Sequence, residues 1–518
     1  MINKDKLLEI IKNKKIINIT IAALIAIGII ISLVILHKTE NNLIRLEIFR
    51  FCFIMLLISA FGICCILLWQ KAKLENIYLF TAITLGITYM FSITPLSVGD
   101  EAHHYQSAYI VSGYMLFKED PYSAEASHFD YNELAGHYNV PGAYIRFFDE
   151  GIVSSDAESE KIDLVMPETY TLDYPLFYLP QAMGITIARL LGLGFFGIFY
   201  LGRLFNLLFY VFCVSFSIKR LAAFRLPVFL TGLLPMSLHQ AASMSNDTFI
   251  FGVSILFIAY AISCIYEKET FRRSDYIVLL TAGVLLSPAK VVYFPIVFLV
   301  FLAAWKWKDT IGYKAWILAA SITAASTLVI LIFMGSNAAA MAGEQDLNWE
   351  GGRNYTLSFI LENPVETIKI FLRSLYHMRE WYFYSLFGQF LSGLTLILPR
   401  WYIRVIVAIL VAGIVYGKKE EWQPSWLHRG TYFTICAAVV VLNLTAMFLG
   451  WTSDWHPVVL GIQGRYFIPV LPLALLMLKN KFTQIDKLFY HNTVIIVYLI
   501  MQCAVIMYIL DFTIGAYV

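Results

Sequence analysis

The chain has 518 residues, of which 59% are hydrophobic and only 14% charged, and its formal net charge is +2. That balance excludes an ordinary soluble domain, and the lack of any basic cluster beyond short loops argues against a nucleic-acid partner. Many separate apolar windows of about 17–25 residues are each long enough to cross a bilayer, so the expected fold is an all-α polytopic membrane protein. The seven cysteines all lie in apolar runs, which speaks against a disulfide framework or a zinc site. A composition rich in Lys, Ile and Asn suits a bacterial plasma membrane.

The first 15 residues carry five lysines against two acids and are expected to be cytoplasmic by the positive-inside rule. The first apolar run, 17–36, has no small-residue cleavage site after it and reads as a retained span. Spans at 48–69 and 77–95 follow, with the basic link 70–73 inside. The chain then emerges outside at P-L-S-V-G-D-E-A-H-H-Y, which sets Asp100, Glu101, His103 and His104 at the mouth of a span. Ionisable groups in that position mark a functional-site candidate.

Residues 96–174 hold 15 acids and three bases, and the external loop is read as reaching 194. Its aromatic residues, among them Tyr122, Phe129, Tyr131, Tyr138, Tyr144, Phe147 and Phe148, predict short helices packed on the membrane surface. Segment 174–192 is interrupted by Pro175 and Pro180. Counting it as a span would put Lys219, Arg220 and Arg225 outside, so it reads as an interfacial helix. Spans at 195–218, 226–243 and 249–266 return S-M-S-N-D-T, with Asp247, to the face of Asp100.

The apolar stretch 276–305 is basic on both flanks and interrupted by S-P-A-K, which predicts two short spans meeting at an external hairpin with Pro288 and Lys290. A span at 315–335 leads to a second external segment, 336–399. There Arg373, His377 and Glu380 fall at i, i+4 and i+7 and are expected on one face of an interfacial helix. Spans at 401–416, 431–449, 466–478 and 490–512 complete about 13, with Gln463, Arg465 and Tyr466 outside and an external C-terminus. The expected division is a tail with two extra spans (1–76), a catalytic transmembrane module (77–335), the second external segment (336–399) and C-terminal helices (400–518).

Asp100 with Glu101, Asp247, Lys290 and Arg465 thus share one face. A carboxylate beside a bound hydroxyl can act as general base, and carboxylates can also hold a divalent cation. Arg and Lys can clamp a phosphate and stabilise it as it leaves. Each residue also has a plainer reading. Asp100 and Glu101 could cap the helix beginning at Ala102, and Asp247 could cap its own span. Lys290 could snorkel, and Arg203 with Asn206 one turn on could be a structural pair. His103 and His104, being adjacent on a helix, point apart and make a poor metal pair.

These motifs resemble a large bacterial family of polytopic membrane proteins of unknown function. The similarity runs through P-L-S-V-G-D-E-A-H-H-Y-Q-S-A-Y-I-V-S-G (95–113), Y-P-L-F-Y-L-P (174–180), L-G-R-L-F-N (201–206), S-N-D (245–247), P-A-K-V-V-Y-F-P (288–295) and G-I-Q-G-R-Y-F-I-P (461–469), over about residues 77–480. Val98-Gly99 stands where the family usually has Pro, and the N-terminal spans are extra. That family in turn resembles GT-C glycosyltransferases, whose first acidic motif would match Asp100 and Glu101 and whose second would match Asp247.

The resemblance implies a sugar donor carried on a polyprenyl phosphate or diphosphate, a surface glycan, glycolipid or teichoic-acid-like acceptor, and in some members a divalent ion such as Mg or Mn. In that reading Asp100 is the base, Glu101 and Asp247 assist or hold metal, and Arg465, Lys290, Arg203 and Gln463 bind the donor phosphate. His103, His104, Tyr466 and His377 are further candidates. A lipid-linked oligosaccharide flippase, an O-antigen-type polymerase and a non-catalytic scaffold are the alternatives. A single site requires Asp100, Asp247 and Arg465 within about 20 Å of one another.

Overall fold

The computed structural model describes residues 38–119, 125–127, 142–152, 161–163, 175–268, 270–334, 347 and 351–515, with scattered positions from 28 to 36. The tail, most of the first expected span and the loop aromatics Tyr122, Phe129, Tyr131 and Tyr138 lie outside them. What is described is a helical bundle with two short antiparallel strand pairs, Glu125–Ser127 with Lys161–Asp163 and the hairpin Phe390–Leu391 with Leu396–Ile397.

Eight of its helices are long and apolar enough to cross a membrane. In chain order they are α1 (Asn42–Trp69), α2 (Leu74–Ser92), α3 (Phe195–Arg220), α4 (Asp247–Tyr266), the Val291–Ile311 helix, which begins as a 3-10 turn, α5 (Lys314–Met334), α6 (Trp426–Gly450) and α7 (Leu488–Gly515). The other described segments expected to span are short or broken: Arg273–Ala289, Arg400–Val415, Gly464–Leu478, and the pair Arg225–Gly232 and Pro235–Ala241. Leu179–Leu190, expected as interfacial, is a 12-residue helix, too short to span. The loop helix Gly142–Glu150 closes over α1, where the rings of Tyr144 and Phe148 pack at an angle against Phe49 and Arg45 pairs with Asp149 at 2.5 Å.

Proline sets the breaks. Pro235 forces Leu234 into an extended conformation with ψ 142°, so the helix stops and restarts. A break inside the apolar layer strands backbone carbonyls that lipid cannot satisfy. Here side chains take them over. Gly232 O accepts from the hydroxyls of Tyr78 (3.3 Å) and Tyr210 (3.1 Å). Leu230 O accepts from Tyr498 (2.9 Å) and Leu233 O from Gln502 Nε2 (2.7 Å), both on α7. A second discontinuity follows Pro288, where Lys290 is extended (φ −152°, ψ 117°) between Arg273–Ala289 and the 3-10 turn Val291–Phe298.

The expected single helix carrying Arg373, His377 and Glu380 is two. Pro364–His377 ends at Met378, and Arg379–Leu386 begins a new axis. Glu380 therefore leaves the face of Arg373 and pairs with Arg400 at 3.2 Å, while His377 is exposed and its ring lies against Tyr376. These helices brace the loop 452–465. Ser374 Oγ accepts from Val459 N (2.8 Å), Ser385 Oγ from Gly464 N (2.8 Å), and Trp381 Nε1 donates to Ile462 O (2.8 Å). Gly464 is required there: a β-carbon would collide with the Tyr382 carbonyl and the Leu386 amide.

Behind this loop a fully buried ion pair joins four segments. Arg203 of α3 spends all five N–H donors: Nε and Nη2 on Glu101 (2.9 and 2.7 Å), Nη1 on the carbonyls of Met90 and Ile93 (both 2.8 Å), and Nη2 also on Thr94 O (3.0 Å). Glu101 accepts in addition from Met244 N (3.0 Å) and Val98 N (3.3 Å). Both side chains have zero exposure. Removing one partner leaves an uncompensated buried charge, so Glu101→Gln and Arg203→Gln should each lose about 3–5 kcal/mol of stability. Thermal unfolding of the detergent-purified protein checks this; an unchanged melting temperature for either variant would contradict it.

Candidate functional site

The first helix of the polar loop, Glu101–Met115, starts at Asp100, which sits in the left-handed region at φ 62° with no side-chain cap bond. Aspartate tolerates that region better than most residues, and the conformation turns neighbouring side chains apart. Glu101 turns inward to Arg203, whereas the Asp100 carboxylate is 65% exposed. The expected roles of Glu101 as a second catalytic acid and Arg203 as a phosphate ligand are therefore corrected: every donor of Arg203 and both oxygens of Glu101 are already engaged in the buried pair.

Asp247, the first residue of α4, is held from behind. Its loop is pinned by Asn206 Nδ2 on the carbonyls of Ser243 (2.7 Å) and Ser245 (3.1 Å) and by Gln181 Nε2 on Met244 O and Ser245 O (both 3.2 Å). In front stand two cations. Lys290 Nζ donates to Oδ1 at 2.7 Å, and Arg465 Nε lies 3.0 Å from Oδ2, close enough for an ion pair though not aligned as a hydrogen bond. Lys290 thus reaches inward rather than snorkelling. Arg465 also stands 3.8 Å from Asp100 through Nη2. Tyr466 lies beside both cations, 4.9 Å from Lys290 Nζ and 5.6 Å from the Arg465 guanidinium, and its carbonyl accepts from Tyr293 at 2.9 Å.

The structure accordingly brings Asp100, Asp247, Lys290, Arg465 and Tyr466 together, with Gln463 on the same loop. His104 joins them, its Nδ1 3.1 Å from the Tyr178 hydroxyl, which also accepts from Asn246 Nδ2 at 3.3 Å. His103 is exposed on the adjacent turn, and His377 sits on the exposed helix described above.

A cavity of about 170 Å³ opens beside the cluster, lined by Asp100, Arg465 and Gln463 on one side and by His239, Gln240 and the 390–394 turn on the other. His239 and Gln240 escape a reading based on loop ends because they sit within an expected span. A polar pair in an apolar run is nonetheless the signal that could have found them. His239 Nε2 accepts from Ser392 N at 3.0 Å.

The side chains do not suit the divalent ion considered from sequence. Both Asp247 oxygens face cations, and Asp100 faces one as well. Among the described residues no group of three or more His, Cys, Asp or Glu side chains gathers to hold an ion. Lys290 and Arg465 supply the positive charge at this position.

Burial pushes the His104 imidazole down from 6.5 to about 4, against the opposing pull of Asp100 and Asp247. Its folded-state value lies below its unfolded one, so the unfolded chain binds more protons between these limits. The stability His104 confers is whole above about pH 6.5 and is lost as pH falls toward 4. Wild type should accordingly lose more melting temperature between pH 7 and about pH 4.5 than His104→Gln does. Equal losses would mean that His104 charges freely.

The blocks at 95–113, 174–180, 201–206, 245–247, 288–295 and 461–469 all contribute residues to this cluster or its supports. No curated protein and no solved structure matches the chain. The family model described as a predicted membrane protein (DUF2142) matches residues 83–474, and the chain belongs to that family.

Proposed function

We propose that the protein is a GT-C-type membrane glycosyltransferase that moves a sugar from a polyprenyl-phosphate or diphosphate carrier to a surface glycan, glycolipid or teichoic-acid-like acceptor at the outer membrane face. The observation that carries this reading is an exposed carboxylate, Asp100, 3.8 Å from one of two cations that converge on a buried aspartate. A free base beside a preorganised cation pair is what displacement of a phosphate by a hydroxyl requires.

In the reaction the acceptor oxygen attacks the anomeric carbon and its proton passes to Asp100. The bond from that carbon to the phosphate oxygen breaks, and the electron pair stays on the phosphate. Arg465 and Lys290 meet the growing negative charge. Asp247 fixes the two cations, a positioning role rather than the metal-holding one considered from sequence. Its attachment to Asn206, Gln181 and the Glu101–Arg203 pair makes the clamp rigid before substrate arrives, so little reorganisation is left for the reaction itself.

Asparagine also tolerates the left-handed region, so Asp100→Asn should keep the fold. It should lower transfer by roughly 10²–10⁴-fold, the usual contribution of a positioned base. Asp247→Asn should lower both transfer and melting temperature, because it strands two cations. The measurement is the surface-glycan composition of a deletion strain complemented with each form. A missing sugar restored by wild type and not by Asp100→Asn supports the reading. Full restoration by Asp100→Asn would overturn it and favour a flippase or scaffold.

A further inference from the structure

The Val291–Ile311 helix and α5 form an antiparallel hairpin that turns at Gly312, and a groove runs between them. Phe301 lines it from the first helix. Ala320, Thr323, Ala324 and Thr327 line it from α5, where their spacing of i, i+3, i+4 and i+7 puts them on one face. These residues are exposed or half-buried on two helices apolar enough to span, so the groove opens to lipid. Its threonines turn their hydroxyls away: Thr323 donates to Ala319 O at 3.1 Å and Thr327 to Thr323 O at 2.9 Å. The surface left to a ligand is therefore apolar throughout. One turn nearer the bend, the rings of Trp305 and Trp316 meet edge to face at 6.2 Å across the hairpin, and Lys308 Nζ stands 3.8 Å from the Trp305 ring. Tryptophan with a snorkelling lysine marks a membrane–water boundary. The groove thus lies within the apolar layer and is closed at that end.

The other end leads to the cations. The Phe301 ring stacks on Phe298 at 6.2 Å, and Phe298 meets Phe294 edge to face at 5.2 Å. Phe294 follows Lys290 by only four residues, on the 3-10 turn Val291–Phe298. Tyr293 of the same turn is buried and donates to Tyr466 O. One short turn therefore carries a support of the charged cluster and the start of a ladder of rings. At the head of that ladder the Arg465 side chain is only 8% exposed, and its Nε has no aligned hydrogen-bond partner, although Asp247 stands 3.0 Å away. Arg203, by contrast, spends every donor. A buried guanidinium with an unspent donor calls for an anion.

We infer that the hydrocarbon chain of a polyprenyl phosphate runs from Lys290 along Phe294, Phe298 and Phe301 into the groove on α5. This rests on the transferase reading and places the lipid partner of that site. A phosphate held by Lys290 and Arg465 must send its chain into the apolar layer, and the ring ladder is the apolar path that begins beside Lys290. An isoprenoid chain bears a methyl branch on every unit, and a surface of alanines and threonine methyls beside a phenylalanine ring leaves room for branches. The chain gains little by leaving bulk lipid, since both surroundings are apolar. What the groove supplies is a fixed course, set by close contacts along the rings and small side chains. That course keeps the phosphate end in register with Asp100.

Photocrosslinking of the full-length protein in nanodiscs tests this by position rather than by affinity. The probes are a polyprenyl phosphate and a phosphatidylglycerol, each with a diazirine midway along its chain, and labelled peptides are mapped by mass spectrometry. The polyprenyl phosphate should label Phe301 and residues 320–331, and excess unlabelled polyprenyl phosphate should suppress that label. Phosphatidylglycerol should label the groove no more than other lipid-facing helices. Ala324→Trp and Thr327→Phe fill the groove from exposed positions, outside the packed core, and each should lose the label. Equal labelling by phosphatidylglycerol would assign the groove to bulk lipid, and disulfide dimers gained in Ala324→Cys would assign it to a second copy. Either result, or a label unchanged in both filled variants, overturns the inference. If the groove is labelled as expected while the deletion strain lacks no sugar, the groove stands and the transferase reading fails. If a sugar is missing while the groove stays unlabelled, the transferase reading stands and the groove fails.

Discussion

Everything at the site leans on the ion pair between Glu101 and Arg203. A guanidinium with all five donors engaged fixes the carbonyl end of α2, the first turn of the helix after Asp100 and, through Met244, the loop that precedes Asp247. Burying two charges is favourable only when geometry and extra hydrogen bonds compensate for lost hydration, and here every lone pair and proton is accounted for. The pair defines where Asp100 and Asp247 stand relative to each other, although neither aspartate touches it.

Three carboxylates within one small region have three different jobs because their surroundings differ. Glu101 is sealed and neutralised by a guanidinium. Asp247 is buried but faces two cations, so it holds them against their mutual repulsion. Asp100 alone meets solvent, with its nearest cation at 3.8 Å, beyond hydrogen-bonding distance. The same chemical group is sealed, flanked by cations or left open to solvent according to what touches it. His104 extends the pattern: kept neutral by burial, it adds a polar contact near the cations without adding to their charge.

The gathering of Asp100, Asp247, Lys290 and Arg465 was legible in the sequence because charge is rare in such a chain and loop ends are its default position. Alternation of basic loops then put all four on one side. What could not be read was which neighbour turns inward. Asp100 and Glu101 are consecutive, and only the left-handed backbone at Asp100 decides that Glu101 faces Arg203. The split between His377 and Glu380 at Met378 carries no strong signal either, since neither Gly nor Pro stands there. The Phe390–Ile397 hairpin was invisible for another reason: four residues of strand have too few side chains to show a period. Pro235 did carry a signal for the break, but the expected single span at 226–243 ran through it; the break sets the polar pair His239-Gln240 beside the cavity.

That break also bears on how the protein is made. The carbonyls freed at Leu230 and Leu233 find their partners on α7, 268 and 269 residues further along the chain. Domains and helices emerge from the ribosome in order, so for most of synthesis this interrupted helix lacks the groups that satisfy it. Such unpaired carbonyls are costly in lipid, and the early helices must wait, held by water or by the insertion machinery, until Tyr498 and Gln502 arrive. The segment that leads into His239 and Gln240 therefore lacks two of its carbonyl partners until the last helix has been made.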